Sequence, residues 1–315
     1  MRKKLIIVAG PTATGKSDCA IRLAKKIGGE IISADSMQVY RGMDIGSAKI
    51  KKEEMDGIRH HLIDIMNPSE EFNIVLFQKL AKEAIGDITK RGFIPIIAGG
   101  TGFYIQSVLY DIDFTKEETD KEYRHYLEEI AKREGNETLF EMLRKVDPAS
   151  CEILHANNQK RVIRALEFYH ETGTPISLHN MEQHKKESPY LFCYFVLTDQ
   201  RDLLYERIDQ RVDRMIDAGL VEEVKRLYNM GIPRQATSMQ GLGYKEIYDH
   251  LLGECSLEEA VFKIKRDTRH FAKRQITWFK REPDAIWLDR SQFCDPLTEM
   301  SDKMEEIIKE KYKNE

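Results

Sequence analysis

The sequence predicts an α/β protein whose parallel sheet, built around a P-loop and flanked by helices, is interrupted by an inserted helical lobe. Three observations carry this expectation. Apolar runs of strand length without alternation recur at 5–9, 30–34, 93–98 and 191–197, as in strands buried on both faces. Helix-forming stretches separate these runs, which makes the connections right-handed crossovers. Between 115 and 188 the strand signature disappears, and the chain turns polar, charged and helical.

The elements follow in order. Leu5-Ile6-Ile7-Val8-Ala9 is a β-branched run ended by Gly10. A helix follows Gly15 to Ile27, and Gly28-Gly29 stops it before the second strand, Glu30 to Ala34. A long helix is expected over Phe72 to Lys90, with Leu76, Leu80 and Ile88 at near-helical spacing and Gly92 beyond its end. Phe93 to Ala98 is a further buried strand, closed by Gly99-Gly100. Leu191 to Leu197 resumes the sheet, and from Arg201 onward helices dominate, broken near Pro233 and Gly241-Gly243. The expected division is therefore 1–114 with 189–315 as an α/β core with a helical C-terminal part, and 115–188 as the inserted lobe.

Composition narrows the function classes. The 315 residues, 41% hydrophobic, suffice for one large domain or a core with an insertion. A formal net charge of −4 means that any nucleic-acid partner must be read from local clusters. The five cysteines show no CxxC spacing and read as reduced thiols. The apolar run after Arg2, Lys3 and Lys4 is too short for a signal-peptide core, and no later segment is long and apolar enough to span a bilayer. A cytoplasmic protein with no membrane association is expected. A monomer without an obligate protein partner is the default, because no self-association segment is evident.

The strongest chemical signal is Gly10-Pro11-Thr12-Ala13-Thr14-Gly15-Lys16-Ser17, which matches GxxxxGK[ST] between a strand and a helix. Its glycines let backbone N–H groups turn toward phosphate oxygens, and the helix N-terminus adds partial positive charge. Lys16 is placed to reach the outer phosphates and Ser17 to hold Mg²⁺. The motif alone does not choose among nucleotide-binding ATPases and GTPases, small-molecule kinases, and enzymes with a diphosphate leaving group. No NKxD is present, and Gly99-Gly100-Thr101 stands where an ATPase often places a Walker-B Asp. Asp199 reads as a helix N-cap.

Asp35 follows the second strand. A carboxylate beside a phosphate cradle suits a general base, although a turn-capping Asp gives the same pattern. Arg207, Arg211 and Arg214 share a helix face and form either a lid over phosphate or a solvated, salt-bridged surface. Lys263 to Arg281 gathers Lys265, Arg266, Arg269, Lys273, Arg274, Lys280 and Arg281 against Asp267, with Trp278 and Phe279 interleaved. That stretch reads as a phosphate-backbone contact, with a solvated helix as the alternative. His60-His61 and Asp64 lack metal-site spacing and read as structural.

GPTATGKS, DSMQVYRGMDIGSAK, HHLIDI, GGTGFY, NNQKRVIRALE, GLGYKE and TRHFAKRQITWFKR occur in this order from residue 10 to about 281. In these blocks the chain resembles the bacterial tRNA dimethylallyltransferases. The resemblance implies transfer of a dimethylallyl group from dimethylallyl diphosphate, with Mg²⁺, to N6 of an adenine. That adenine lies 3′ of the anticodon in tRNAs reading codons that begin with U. It implies that the P-loop holds the diphosphate and that ATP is not the donor; Arg211 is set with that site, while which of the three arginines touches the diphosphate stays open. It places Thr101 near the reacting oxygen, a turn hydroxyl being the alternative. Ser36, Met37 and Gln38, following Asp35 directly, would read an extruded base together with Asp35 and Thr101. Gln159, Lys160, Arg161, Val162 and Ile163 would contact the tRNA anticodon stem-loop, with a core position the alternative for Val162 as for Leu166 and Phe168; so would Arg124, for which a surface charge is the alternative, and Lys273 and Arg274. Two other readings remain open on residues alone. One is a P-loop small-molecule kinase, which would need an adenine site. The other is a nucleotide-switched RNA-binding protein, which would tolerate loss of Asp35.

Overall fold

The structure, a computed structural model, describes residues 2–114 and 120–313. Six strands form one parallel sheet in the order β3-β2-β4-β1-β5-β6: β1 (Lys3–Ala9), β2 (Gly29–Ala34), β3 (His60–His61), β4 (Ile94–Gly99), β5 (Tyr190–Thr198) and β6 (Ala285–Asp289). The expected fold class is observed. The edge strands β3 and β6 are additions to the expectation. The first has only two residues, and the second lies in a segment expected to be helical.

Helices α1 (Lys16–Ile27), α2 (Ile74–Lys90) and α3 (Gly102–Leu109) belong to the first half of the core. The second half carries α9 (Arg201–Asp217), α10 (Leu220–Asn229), α11 (Tyr244–Leu251), α12 (Leu257–Phe279) and α13 (Pro296–Lys313). Both sheet faces are covered. Ile6 and Val8 of β1 pack with Cys19, Leu23 and Ala24 of α1 and with Met300, Met304 and Ile308 of α13. Leu5, Ile7 and Ala9 alternate to the other face and are equally buried, which is why the run shows no polar alternation.

Local sequence sets the ends of these helices. Gly28 takes a left-handed conformation (φ 67°) and its N–H returns to the Ala24 carbonyl, terminating α1. The α2 helix starts later than expected because Asn73 is its N-cap, its side chain accepting from the Leu76 N–H at 3.0 Å. Its buried stripe is Phe77, Ala81, Ala84, Ile85 and Ile88; Leu76 and Leu80 are only half-buried. The apolar face is thus carried partly by alanines, which pack close to the sheet.

By its internal contacts the chain divides into two compact units, Met1–Leu109 with Pro189–Glu315, and Tyr110–Ser188. The polar stretch expected to open the inserted lobe begins with residues 115–119, which lie outside the described residues. The second unit is helical: α4 (Lys121–Glu134), α5 (Asn136–Val146), α6 (Pro148–Cys151), α7 (Gln159–Thr172) and α8 (Ile176–His184). Its core is Leu127, Leu139, Leu143, Val162, Ile163 and Leu166 with their neighbours. Among the described residues no helix is long and apolar enough to cross a membrane. All five cysteines are free.

Candidate active site

The site residues of the first unit collect at the carboxyl ends of β2, β4 and β1, where the parallel register aligns Ala34, Gly99 and Ala9 side by side. The phosphate loop leaves β1 at Gly10, whose φ of +142° and closeness to β5 both require glycine. A Cβ there would lie 2.3 Å from the Leu197 carbonyl oxygen. The loop closes on itself, the Thr14 hydroxyl donating to the Pro11 carbonyl at 2.9 Å, and ends at Gly15 (φ 83°), from which α1 begins with Lys16. The first N–H groups and positive dipole end of α1 therefore sit at the loop. Ser17 is exposed in the first turn.

Lys16 donates to the Pro11 carbonyl at 2.6 Å. Burial pushes its ammonium down to about 7; the Arg211 guanidinium acts in the same direction and the Asp35 carboxylate opposes it. Arg211 is also pulled down by burial, with Asp35 opposing and Arg214 adding to the effect. Arg211 makes no ion pair among the described residues. The three candidate arginines are thereby separated. Arg207 is committed to Asp199, and Arg214 is exposed and donates to the Gln210 carbonyl at 3.3 Å. Arg211 alone of the three acts on Lys16. Two basic side chains and one carboxylate at the N-terminus of α1 suit the site to a multiply charged anion.

Asp35 directly follows β2 and caps the turn after it. One oxygen, Oδ1, accepts from the backbone N–H of Met37 at 2.8 Å and of Gln38 at 3.4 Å, an Asx turn. Oδ2 accepts no hydrogen bond among the described residues, and the carboxylate acts electrostatically on Lys16 and Arg211. Thr101 stands at the start of α3; its N–H reaches the Ala34 carbonyl at 3.3 Å, and its carbonyl accepts from Tyr104 at 3.0 Å. Gly99 permits this approach, since a Cβ on it would meet the Ala34 oxygen at 2.3 Å. Tyr104, stacked on Phe77, has its hydroxyl raised to about 12 by burial, with Tyr40 and Asp35 adding to the effect.

The base-reading candidates are half-buried. Gln38 is tied inward, its amide linked to the Ser33 hydroxyl at 3.3 Å and the Ala48 carbonyl at 3.5 Å. Met37 packs on Gly241, where a Cβ would meet its sulfur at 2.7 Å. The turn at Gly241-Gly243, read from sequence as a helix break and as part of the GLGYKE block, therefore lines the loop after Asp35.

Several expectations are corrected. Asp199 is not a helix N-cap: Gln200 occupies that position, and the fully buried Asp199 carboxylate pairs with Arg207 and lies 4.0 Å from Arg290. Val162 takes its alternative, the core position, and Ile163, expected as a tRNA contact, is buried in the same core of the second unit; the two are 0% and 2% exposed. Lys160 and Arg161 are exposed and Gln159 half-buried at the start of α7. Arg124 lies 3.5 Å from Glu128 and 3.7 Å from Glu167. The basic stretch of α12 is half neutralised. Lys265 pairs with Asp213 at 2.6 Å, Arg269 with Asp209 at 2.5 Å, and Arg266 with Asp267 at 2.8 Å. Lys273 and Arg274 are exposed and make no ion pair among the described residues.

Other contributors were not legible from the motifs. Arg290 donates to the Thr14 carbonyl at 3.3 Å, bracing the phosphate loop. Buried Glu223 accepts from the N–H groups of Asp44 and Ile45 at 2.9 Å, from that of Gly46 at 3.1 Å, and from the Tyr244 hydroxyl at 2.7 Å. Buried Lys49 donates to the Tyr40 carbonyl at 2.6 Å and to Asp44 and Asp64. Together these hold the segment following Gln38. The Thr12 N–H donates to Gln275 at 3.0 Å, so it does not turn toward a phosphate. Among the described residues no group of three or more His, Cys, Asp or Glu side chains could hold a metal ion. The hard oxygen donor at the loop is the Ser17 hydroxyl.

Comparison with known proteins gives a consistent set of likenesses. The IPP transferase family model matches residues 38–282. A tRNA dimethylallyltransferase of Lachnoclostridium phytofermentans is 59% identical over 299 residues, covering 94% of this chain and 96% of that protein. One from Carboxydothermus hydrogenoformans is 53% identical over 290 residues, covering 92% and 93%. The solved tRNA isopentenylpyrophosphate transferase of Bacillus halodurans aligns with a TM-score of 0.74 at 44% identity, over 99% of each chain. A eukaryotic dimethylallyltransferase acting on tRNA aligns with a TM-score of 0.80 at 33% identity, over 91% of this chain and 74% of its own. The chain belongs to the IPP transferase family and is a transferase.

Proposed function

We propose that this enzyme transfers a dimethylallyl group from dimethylallyl diphosphate to N6 of the adenine 3′-adjacent to the anticodon in tRNAs reading codons that begin with U. The observation that carries the proposal is one carboxylate, Asp35, within electrostatic reach of two cations, Lys16 of the phosphate loop and Arg211 of α9. The lone pair of N6 attacks the allylic carbon as the carbon–oxygen bond to diphosphate breaks. The departing diphosphate takes that electron pair, and the N6 proton passes to the Asp35 carboxylate.

Charge grows on the leaving group, so preorganised donors supply most of the acceleration, about 10²–10³-fold for each donor. The loop amides, Lys16 and Arg211 fill this role. The exposed Ser17 hydroxyl would hold Mg²⁺, which when bound would supply Lewis-acid neutralisation of the diphosphate. The Thr101 backbone is held next to the strand end that carries Asp35, and its hydroxyl bonds to the reacting groups. The extruded adenine is read in the loop from Ser36 to Gln38, at an unstacking cost of a few kcal/mol. Lys273 and Arg274, and in the second unit Arg124, Gln159, Lys160 and Arg161, meet the anticodon stem-loop. The enzyme acts in the cytoplasm as a monomer. The kinase and RNA-switch alternatives are not favoured, because the relatives are prenyl transferases.

The test is incubation with unmodified tRNA, Mg²⁺ and labelled dimethylallyl diphosphate. Label is expected on the adenine beside the anticodon, with none transferred from ATP. Asp35→Asn keeps the turn acceptor but removes the base, so binding of both substrates should persist while turnover falls about 10²–10⁴-fold. Turnover near that of the wild type would remove Asp35 from the mechanism.

A further inference from the structure

Gln275 lies on α12 beside Lys273 and Arg274 in sequence but on the buried side of the helix, 6% exposed. Its amide is used at both ends. The carbonyl oxygen accepts from the Thr12 N–H at 3.0 Å, and the amide nitrogen donates to the Gly100 carbonyl at 2.9 Å. One side chain thus ties the phosphate loop after β1 to the turn after β4 that carries Thr101. Space for it exists only because residue 100 is glycine: a Cβ there would lie 2.2 Å from the Gln275 nitrogen. Trp278, almost one turn further along α12, seats against the same turn, where a Cβ on Gly102 would meet its ring at 2.1 Å.

We propose that Gln275 is a positioning residue for prenyl transfer, setting the distance between the diphosphate cradle and the Thr101–Asp35 side of the site. The inference rests on the reading of the loop as a diphosphate site. Of the twenty side chains, Gln has the reach and the paired donor and acceptor that both backbone groups require. Leaving a buried N–H and C=O unpaired would let both loops relax, and a misplacement of about 1 Å costs roughly 10²-fold in rate.

Two variants test it, each assayed for label transfer, for inorganic diphosphate affinity without tRNA, for tRNA affinity and for thermal melting. Gln275→Met keeps the volume and removes both hydrogen bonds. Its kcat/KM for dimethylallyl diphosphate should fall about 10²-fold, and its diphosphate affinity should weaken while tRNA affinity holds. Gln275→Glu keeps the acceptor for Thr12 but turns a carboxylate oxygen toward the Gly100 carbonyl, so only its protonated form restores the donor. Burial raises that carboxyl, and its protonated fraction grows as pH falls. The variant-to-wild-type ratio of kcat/KM should therefore rise from pH 8 to pH 6 at a temperature where melting shows both proteins fully folded throughout, a readout that loss of folded protein does not move. Wild-type kcat/KM and diphosphate affinity in Gln275→Met would overturn the inference. If that variant does not fold, a flat ratio in Gln275→Glu would overturn it. Wild-type protein that transfers no label would instead refute the proposed function, and the diphosphate affinities would still decide the role of Gln275.

Discussion

The lowered Lys16 makes a quantitative prediction about donor binding. Burial and Arg211 bring its ammonium to about 7, so it is half protonated near neutrality. About one tenth remains protonated at pH 8 and about one hundredth at pH 9. A diphosphate in the cradle adds negative charge beside Lys16 and favours the ammonium, so binding and protonation are linked. The sign follows: affinity is full below pH 7 and weakens as pH rises through it. The slope approaches tenfold, about 1.4 kcal/mol, per pH unit. At pH 8 about 0.9 proton should be taken up per diphosphate bound. Titration calorimetry without tRNA, in two buffers of different ionisation enthalpy, measures both quantities. Lys16→Arg is the control, because a guanidinium stays charged throughout and the ligand's own titration is common to both proteins. Its affinity should be nearly flat from pH 7 to pH 9. Parallel slopes for the two proteins, or no proton uptake by the wild type, would refute the reasoning.

Two further expectations follow from surface and loop contacts. Lys273→Ala with Arg274→Ala should weaken tRNA binding and lower the slope of log K against log salt by about 1.4–1.8. Lys265→Ala with Arg269→Ala should change that slope far less, because both cations are already paired with α9 aspartates; equal slope changes in a filter-binding salt series would contradict this. Glu223→Ala removes the acceptor for three backbone N–H groups and the Tyr244 hydroxyl and should cost about 3–5 kcal/mol by denaturant unfolding. A loss below about 1 kcal/mol would mean that the segment after Gln38 does not depend on that carboxylate.

The sequence by itself determined the central strands, the phosphate loop and the order of the family's motif blocks. These are local properties: strand burial on both faces writes unbroken apolar runs, and a phosphate loop needs glycine at fixed spacing. It also contained the burial of Val162 and Ile163, since they share a helical stripe with Leu166 in the core of the second unit. It did not contain β6, a five-residue strand whose pairing with β5 exists only once the sheet is assembled. Nor did it separate Arg211 from Arg207, which lie one turn apart on α9 with the same chemistry. The difference arises because the buried Asp199 captures Arg207, while Lys16, far away in the chain, lies within the field of Arg211. The same holds for the neutralised half of α12 and for the Gln275 tie across |i−j| of 263. Periodicity and motif spacing are set by neighbours along the chain, but the charge state and hydrogen-bond partners of a polar side chain are set by what folding packs against it. Among the described residues, tertiary structure alone decided which cations are spent on aspartates and which make no ion pair.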